Sequence, residues 1–278
     1  VFIVIALLIT ITVFVLIAGW GIYVLGWHGK LSQNISQIIP YPAARVENQF
    51  ILYKDFYKVF NAAERFYNQN TFDGESLAYE QLAAIVLEDR LIKDILIRKI
   101  ANTYNIEVTE QEVNNRINGI ILNQGDEEEL IDFLQKNYGL TLTEYKKYFV
   151  RPTIYFEKVS QAVEKDDSLN GQAEQKIQSA YNQLQNGQEF EKVAQEYSED
   201  QDTVIEIFKG QLDQDVEDRL WVLEEGEYSD ILTFDDSLQI VKIETKNEAL
   251  GTLRVKNIVV KIKTLSDIIE NLKKEKNI

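Results

Sequence analysis

The first 27 residues, Val1 to Trp27, carry no charged side chain, whereas the remainder of the chain is strongly acidic. At about 1.5 Å per residue a helix of that length spans roughly 40 Å, against a bilayer core of about 30 Å. The run therefore predicts a transmembrane helix. Trp20, Tyr23 and Trp27 cluster at its C-terminal end, where amphipathic rings favour the membrane interface. The alternative is a cleaved signal peptide, which has an apolar core of about 7–15 residues and a small-residue cleavage site. This run is longer, and Gly19-Trp20-Gly21-Ile22-Tyr23-Val24 is a poor site. We therefore expect an uncleaved, single-pass anchor in a cell membrane. The first residue is Val1 and not Met, so residues carrying the Lys and Arg that set orientation are expected to precede it. A short N-terminus ahead of a long domain places that domain outside the cytoplasm, and a chain without cysteine suits that setting.

Of the 278 residues, those after the anchor suffice for one or two domains with real cores. The net charge of −16 lies wholly outside the apolar run and repels phosphates, so nucleic acid is not an expected partner. The same charge suits a soluble chaperone, and equally plain solubility. Chemistry is bounded by what is missing. His28 is the one histidine and there is no cysteine. Thiol catalysis, thiolate or multi-histidine metal sites and Ser-His-Asp triads are thereby excluded. No glycine-rich phosphate loop occurs, and we expect neither metal nor cofactor.

Residues 28–42 are polar, hold two of the three prolines, and read as a juxtamembrane linker. A strand-turn-strand pattern follows over Ala43–Ile51. Helical spacing of apolar residues then predicts helices over Tyr53–Gln69, Leu77–Tyr104, Thr109–Asn123, Asp126–Tyr138 and Thr143–Val163. Thr109 and Glu112 have capping-box spacing, and Asn105 and Gly139 sit where helices should stop. Glu127–Glu129 fall in a first turn and suit its positive dipole end, but their spacing does not fit a calcium loop. Asp166–Gln172 is a polar break and the expected boundary between residues 43–165 and 166–278. Beyond it the pattern predicts helices over Ala173–Gln185, Phe190–Tyr197, Val216–Leu223 and Thr264–Lys274. Strands are predicted over Thr203–Phe208, Ile231–Phe234, Leu238–Glu244 and Arg254–Ile262. Helices and strands mixed over this length predict a small α+β domain.

Several stretches resemble the extracytoplasmic SurA/PrsA-type foldases, which carry a parvulin-like prolyl isomerase domain. Val46-Glu47-Asn48-Gln49-Phe50-Ile51 with Lys54-Asp55-Phe56 resembles the opening strand and helix start of the family's N-terminal chaperone region. Glu47-Asn48 stands where the family has Asn-Gly, and Asn48 still tolerates the positive φ of a tight turn. Leu91, Ile92, Leu96, Ala101, Asn105, Ile106, Val108, Thr109, Glu112 and Val113 resemble the long helix, its stop and the next capped helix. Phe133-Leu134 and Tyr138-Gly139-Leu140-Thr141 fit the following turn. In the C-terminal domain, Gly187, Phe190, Val193-Ala194, Ser198 and Asp200 resemble the parvulin pattern Gly-x-x-Phe-x-x-Leu-Ala-x-x-x-Ser-x-Asp. Leu223, Gly226-Glu227 and Ser229 resemble Leu-x-x-Gly-Glu-Val-Ser. Leu238-Gln239-Ile240-Val241-Lys242-Ile243 sits where the family has Tyr-His-Ile-Ile-Lys-Leu.

The departures bear on function. A parvulin domain opens with a strand like Arg-x-x-His-Ile-Leu-Val, and nothing between Val159 and Ala173 supplies one. Arg254-Val255-Lys256-Asn257-Ile258-Val259-Val260-Lys261, near the C-terminus, resembles it. A circularly permuted domain would explain both; a truncated second copy or an unrelated edge strand are the alternatives. Permutation is preferred because one missing strand and one surplus strand match, and termini of small domains often lie close together. It requires Arg254–Ile262 to lie beside Leu238–Glu244; an edge position away from that strand would refute it. The family's two histidines then fall on Asn257 and Gln239, and the apolar proline pocket on Leu212 and Val216. The glycine-rich loop is shortened to Phe208-Lys209-Gly210. The resemblance implies a membrane-anchored folding factor acting on unfolded or newly exported polypeptides. A catalytically inactive holdase and a cell-envelope scaffold remain as alternatives. Candidate surface aromatics for substrate contact are Phe66, Tyr67, Phe72 and Tyr79.

Overall fold

The computed structural model describes residues 2–70, 77–200 and 204–276. The chain divides into two compact units: one runs to Val159 and takes the chain back from Asn271, and the other is Ser160–Glu270. The division falls inside a helix, ahead of the polar break at which the sequence places it.

In the first unit, α1 (Phe2–Tyr23) is the apolar helix. It is long and apolar enough to cross a membrane, a test that a signal sequence near an N-terminus also passes. The stretch read as a linker is folded. It forms α2 (Lys30–Ile38), whose Ser32 Oγ lies 3.3 Å from Tyr57 Oη and whose Gln33 exchanges amide hydrogen bonds with Asn61. Leu31, Ile35 and Ile38 recur at helical spacing, but the helix is only nine residues long and its other buried residues, Ser32 and Ser36, are polar.

A hairpin of β1 (Pro42–Val46) and β2 (Gln49–Leu52) leads into α3 (Tyr53–Asn70). The left-handed backbone of the hairpin turn falls on Glu47 (φ 51°) and not on Asn48. The Glu47 carboxylate is held by Lys99 at 2.6 Å and Lys276 at 3.2 Å, which fixes the turn. These two cations hold its pKa below the usual carboxylate range.

The next predicted helix is continuous but not uniform. α4 (Tyr79–Ala84) and α5 (Lys93–Thr103) flank a π-helical stretch, Ile85–Ile92. Then come α6 (Glu110–Gln124), α7 (Glu127–Asn137), α8 (Leu142–Tyr145), a second π-helical stretch (Lys146–Val150) and α9 (Arg151–Glu164). The two π-helical stretches are joined: Arg90 donates to Tyr148 O at 3.0 Å and lies over the Phe149 ring. Burial pulls the Arg90 pKa down, opposed by the nearby Asp94 carboxylate. Thr109 and Glu112 form the expected capping box, with Thr109 N donating to Glu112 Oε2 at 2.7 Å. Asn105 (φ 53°) and Gly139 (φ 66°) end their helices in the left-handed region. The apolar faces meet in two clusters, one around Phe56, Tyr57, Phe60, Leu82 and Val86, the other around Val113, Ile117, Leu130, Leu134 and Ile154. Each such buried side chain contributes about 1.5–3 kcal/mol of transfer free energy.

The second unit holds α10 (Asp167–Gln185), α11 (Phe190–Tyr197), β3 (Ile205–Phe208), α12 (Gln214–Trp221), β4 (Leu232–Phe234), β5 (Ser237–Asn247) and β6 (Thr252–Lys261). α13 (Leu265–Lys276) ends the described chain. The polar break belongs mostly to α10, which Asp166 caps by accepting from Ser168 N at 2.9 Å. Asn170 inside it is buried. It donates to Val163 O, Glu164 O and Lys263 O, and accepts from Lys263 N at 2.7 Å.

The sheet order is β3-β6-β5-β4, with all three pairings antiparallel. β6 thus lies beside β5, with Asn257 opposite Val241, as the permuted arrangement requires. Side chains alternate. Leu238, Ile240, Ile258 and Val260 pack under α10 and α11, while Val241, Ile243, Leu253 and Val255 pack under α12.

Candidate functional site

The α12 face of the sheet continues past its apolar cluster into a polar strip. Gln239 and Asn257 sit on that face, two residues beyond Val241 and Val255 respectively, and diagonal to each other across β5 and β6. Asn257 Nδ2 donates to Gln239 Oε1 at 2.8 Å, and Gln239 Nε2 donates to Ser237 Oγ at 2.9 Å. The Ser237 hydroxyl donates in turn to Asp236 Oδ1 at 3.0 Å. An ionised carboxylate only accepts, so the chain of bonds has one direction. It leaves Asn257 Oδ1 as the terminal acceptor, buried and without a hydrogen-bond partner among the described residues. A buried oxygen in that state is rare enough to call for a reason. The two positions to which the resemblance assigns the family histidines are therefore in contact, through amides that do not titrate.

Leu212 and Val216 are both half-buried against the cluster that contains Val241 and Val255. Their placement depends on a residue that sequence reasoning missed. Glu217, in the first turn of α12, is 4% exposed, and its Oε1 accepts from the backbone N–H groups of Gly210 and Gln211. A left-handed Gly210 (φ 88°) lets both amides converge on one carboxylate. The shortened loop is thereby a tight turn closed by a buried acid, and Leu212 follows it directly. An acidic residue a few positions after a glycine turn was the available signal, and on its own it is a weak one.

α11 is fastened to the opposite face. Glu191 binds Lys242 at 2.9 Å and Lys256 at 3.4 Å, and these partners, Lys242 first, pull its pKa down to about 2. Lys242 also lies over the Phe190 ring.

In the first unit, Phe66 stacks flat on Tyr138 with ring centroids 5.3 Å apart, and Phe133 and Phe149 meet Tyr138 edgewise or tilted. Phe66, Tyr67 and Phe133 remain 41%, 39% and 44% exposed. Beside Tyr138 opens a cavity of about 280 Å³ whose other walls include Gln33, Asn34, Gln37 and Asn61. Tyr79 is instead half-buried, stacked on His28 and packed on Phe60. Phe72 lies outside the described residues. No group of three or more His, Asp or Glu side chains able to hold a metal occurs among the described residues.

Comparison with known proteins accounts for both units. Residues 1–160 match the family model of the SurA-like N-terminal domain, and residues 156–245 match that of the PPIC-type peptidyl-prolyl isomerase domain. The chain belongs to the SurA-like family and carries a parvulin-class isomerase domain, the composition of a SurA/PrsA-type foldase. The isomerase match ends within β5 and leaves out β6. Among solved structures, the crystal structure of PrsA from Bacillus subtilis aligns over 85% of this chain and 84% of that one, at 18% identity and a TM-score of 0.23. No curated protein matches.

Proposed function

We propose that the chain is a membrane-anchored, extracytoplasmic folding factor whose parvulin-like domain turns over Xaa-Pro bonds in unfolded or newly exported polypeptides. The observation that carries this reading is the Asn257–Gln239 pair, hydrogen-bonded at the centre of the sheet with Asn257 Oδ1 left as a directed acceptor. Prolyl isomerisation breaks no covalent bond; it lowers a rotational barrier of about 18–20 kcal/mol. An apolar site formed by Leu212 and Val216 would grip the proline ring and favour the twisted amide over the planar one. Asn257 and Gln239 would hold the floor of that site through their mutual hydrogen bond, with Asn257 Oδ1 itself covered. Because neither amide titrates, turnover would be flat across the pH range in which histidine changes charge.

A holdase without isomerase activity is the second reading. It is favoured by the exposed Phe66 and Phe133 rings around half-buried Tyr138, beside an amide-lined cavity, since rings can cover apolar side chains while amides bond a peptide backbone. The two are separated by measuring cis/trans exchange of a Xaa-Pro peptide by NMR, alongside suppression of aggregation of a reduced, unfolded protein. Exchange abolished by Leu212→Ala or Val216→Ala supports the isomerase. Suppression without exchange supports the holdase. Neither activity would leave an anchored cell-envelope scaffold.

A further inference from the structure

α1 is not joined to the first unit by a free tether. Its last turns are docked: Ala18 and Ile22 are buried with Ile35 of α2 and Tyr41 in one cluster. Two glycines permit the close approach. A Cβ at Gly19 would lie 3.3 Å from the Tyr41 ring, and one at Gly21 would overlap the ring of Trp27, whose backbone N–H bonds back to Gly21 O. Tyr41 Oη donates to Val15 O, and Tyr23 Oη to Pro42 O at 2.7 Å. The direction of α2 is thereby fixed relative to the anchor.

α2 is inverted for a helix on a water-soluble domain. It buries Ser32 and Ser36, while Leu31 and Ile38 are 65% and 85% exposed. Leu31 and Ile38 are two turns apart and lie on one line along the helix. That line borders Ile35, the residue that packs on the anchor, and the opposite flank carries Gln33 and Gln37. Trp20, Val24 and Leu25 are also exposed on the adjoining end of the anchor. Charge has the same orientation. Every one of the 45 acidic residues lies at or beyond Glu47, and the only charged residues before it are Lys30 and Arg45.

We propose that α2 lies in the plane of the membrane interface, with Leu31 and Ile38 inserted among the lipid acyl chains beside the anchor. The acidic body is held on the water side. The proposal rests on the anchored reading of α1 and commits the apolar flank of α2 to a lipid surface. Continuity with an apolar helix and a segment free of carboxylates both match such a surface. Insertion fixes how far from the lipid the rest of the first unit can stand, so the domain would work at the membrane surface.

The chain contains no cysteine, so single cysteines can be placed and labelled with an environment-sensitive fluorophore. The full chain is reconstituted in phosphatidylcholine vesicles with a minority of phosphatidylglycerol, bearing Leu8→Cys, Leu31→Cys, Ile38→Cys or Gln37→Cys. The expected result is blue-shifted emission, quenched by a nitroxide at a shallow acyl carbon, for probes at 31 and 38 but not at 37. A probe at 8 should be quenched by deeper nitroxides. Water-exposed emission at 31 and 38 with a lipid-embedded probe at 8 overturns the proposal and leaves the anchor intact. A probe at 8 that reports water overturns the anchored reading itself. Shielding at 31 and 38 that is lost on dilution with excess lipid assigns the flank to a second copy of the chain and also overturns the proposal.

Discussion

Replacing Asn170 by alanine removes a side chain whose oxygen accepts from Lys263 N and whose two N–H protons are shared among the carbonyls of Val163, Glu164 and Lys263. The residue is 1% exposed, so little water replaces what is lost. At about 1 kcal/mol net for each neutral bond, with partial relaxation, the expected loss is about 2–4 kcal/mol. Asn170→Asp should do worse at neutral pH, because it sets a carboxylate against the same three carbonyls. That carboxylate would have its folded-state pKa raised above the unfolded value of about 3.9. The sign then follows from linkage. The Asp variant is most stable below the unfolded pKa and loses stability as pH rises through the folded one. Equilibrium urea unfolding of the full chain in detergent micelles reads this through Trp221, the one tryptophan outside the first 27 residues, with Trp20 and Trp27 changed to phenylalanine. A loss below about 0.5 kcal/mol for the alanine variant, the size of an ordinary surface change, would refute the reasoning. So would an aspartate variant whose midpoint does not fall with rising pH.

Two other expectations follow from the same unit. Glu217→Ala takes the acceptor from the Gly210 amide and one of two acceptors from the Gln211 amide, which keeps Phe208 O, and should cost about 1–2 kcal/mol, with Glu217→Gln recovering part of it; urea midpoints measure both, and equal losses for the two would argue against a role for the charge. Glu191, with its pKa pulled down to about 2 against about 4.3 unfolded, adds stability that is present above the unfolded value and lost as pH falls through the folded one. Glu191→Gln should therefore flatten the acid limb of the stability profile between those values, modestly because the group is largely exposed.

The elements legible in the sequence were those whose pattern comes from local chemistry. α11 was readable because Phe190, Val193 and Ala194 recur at helical spacing, and β5 because both its faces are buried and it reads as an apolar run. α2 and the start of α10 were hidden for one reason. Each buries polar side chains, Ser32 and Ser36 in the first and Asn170 in the second, which read as surface residues; Ser36 bonds back to Ser32 O within α2, while Ser32 and Asn170 also meet Tyr57 and Lys263 far along the chain. The π-helical stretches left no mark either, since Ile85–Ile92 keeps an apolar pattern that fits an ordinary helix. At the site, the contact between Asn257 and Gln239 could be anticipated only through the family resemblance. The donors and acceptors that orient it, Ser237 and Asp236, emerged only from the register of β5.

The position of β6 has a consequence for how the second unit can be assembled. The strand is last of the sheet in sequence and central in space, and among the described residues β3 pairs with no other strand. A chain emerging N-terminus first therefore presents β3 with nothing to join, and β5 with its long edge open, until residues 252–261 arrive. Open strand edges are sites of wrong pairing. Losing the C-terminal segment would remove the middle of the sheet and not its margin.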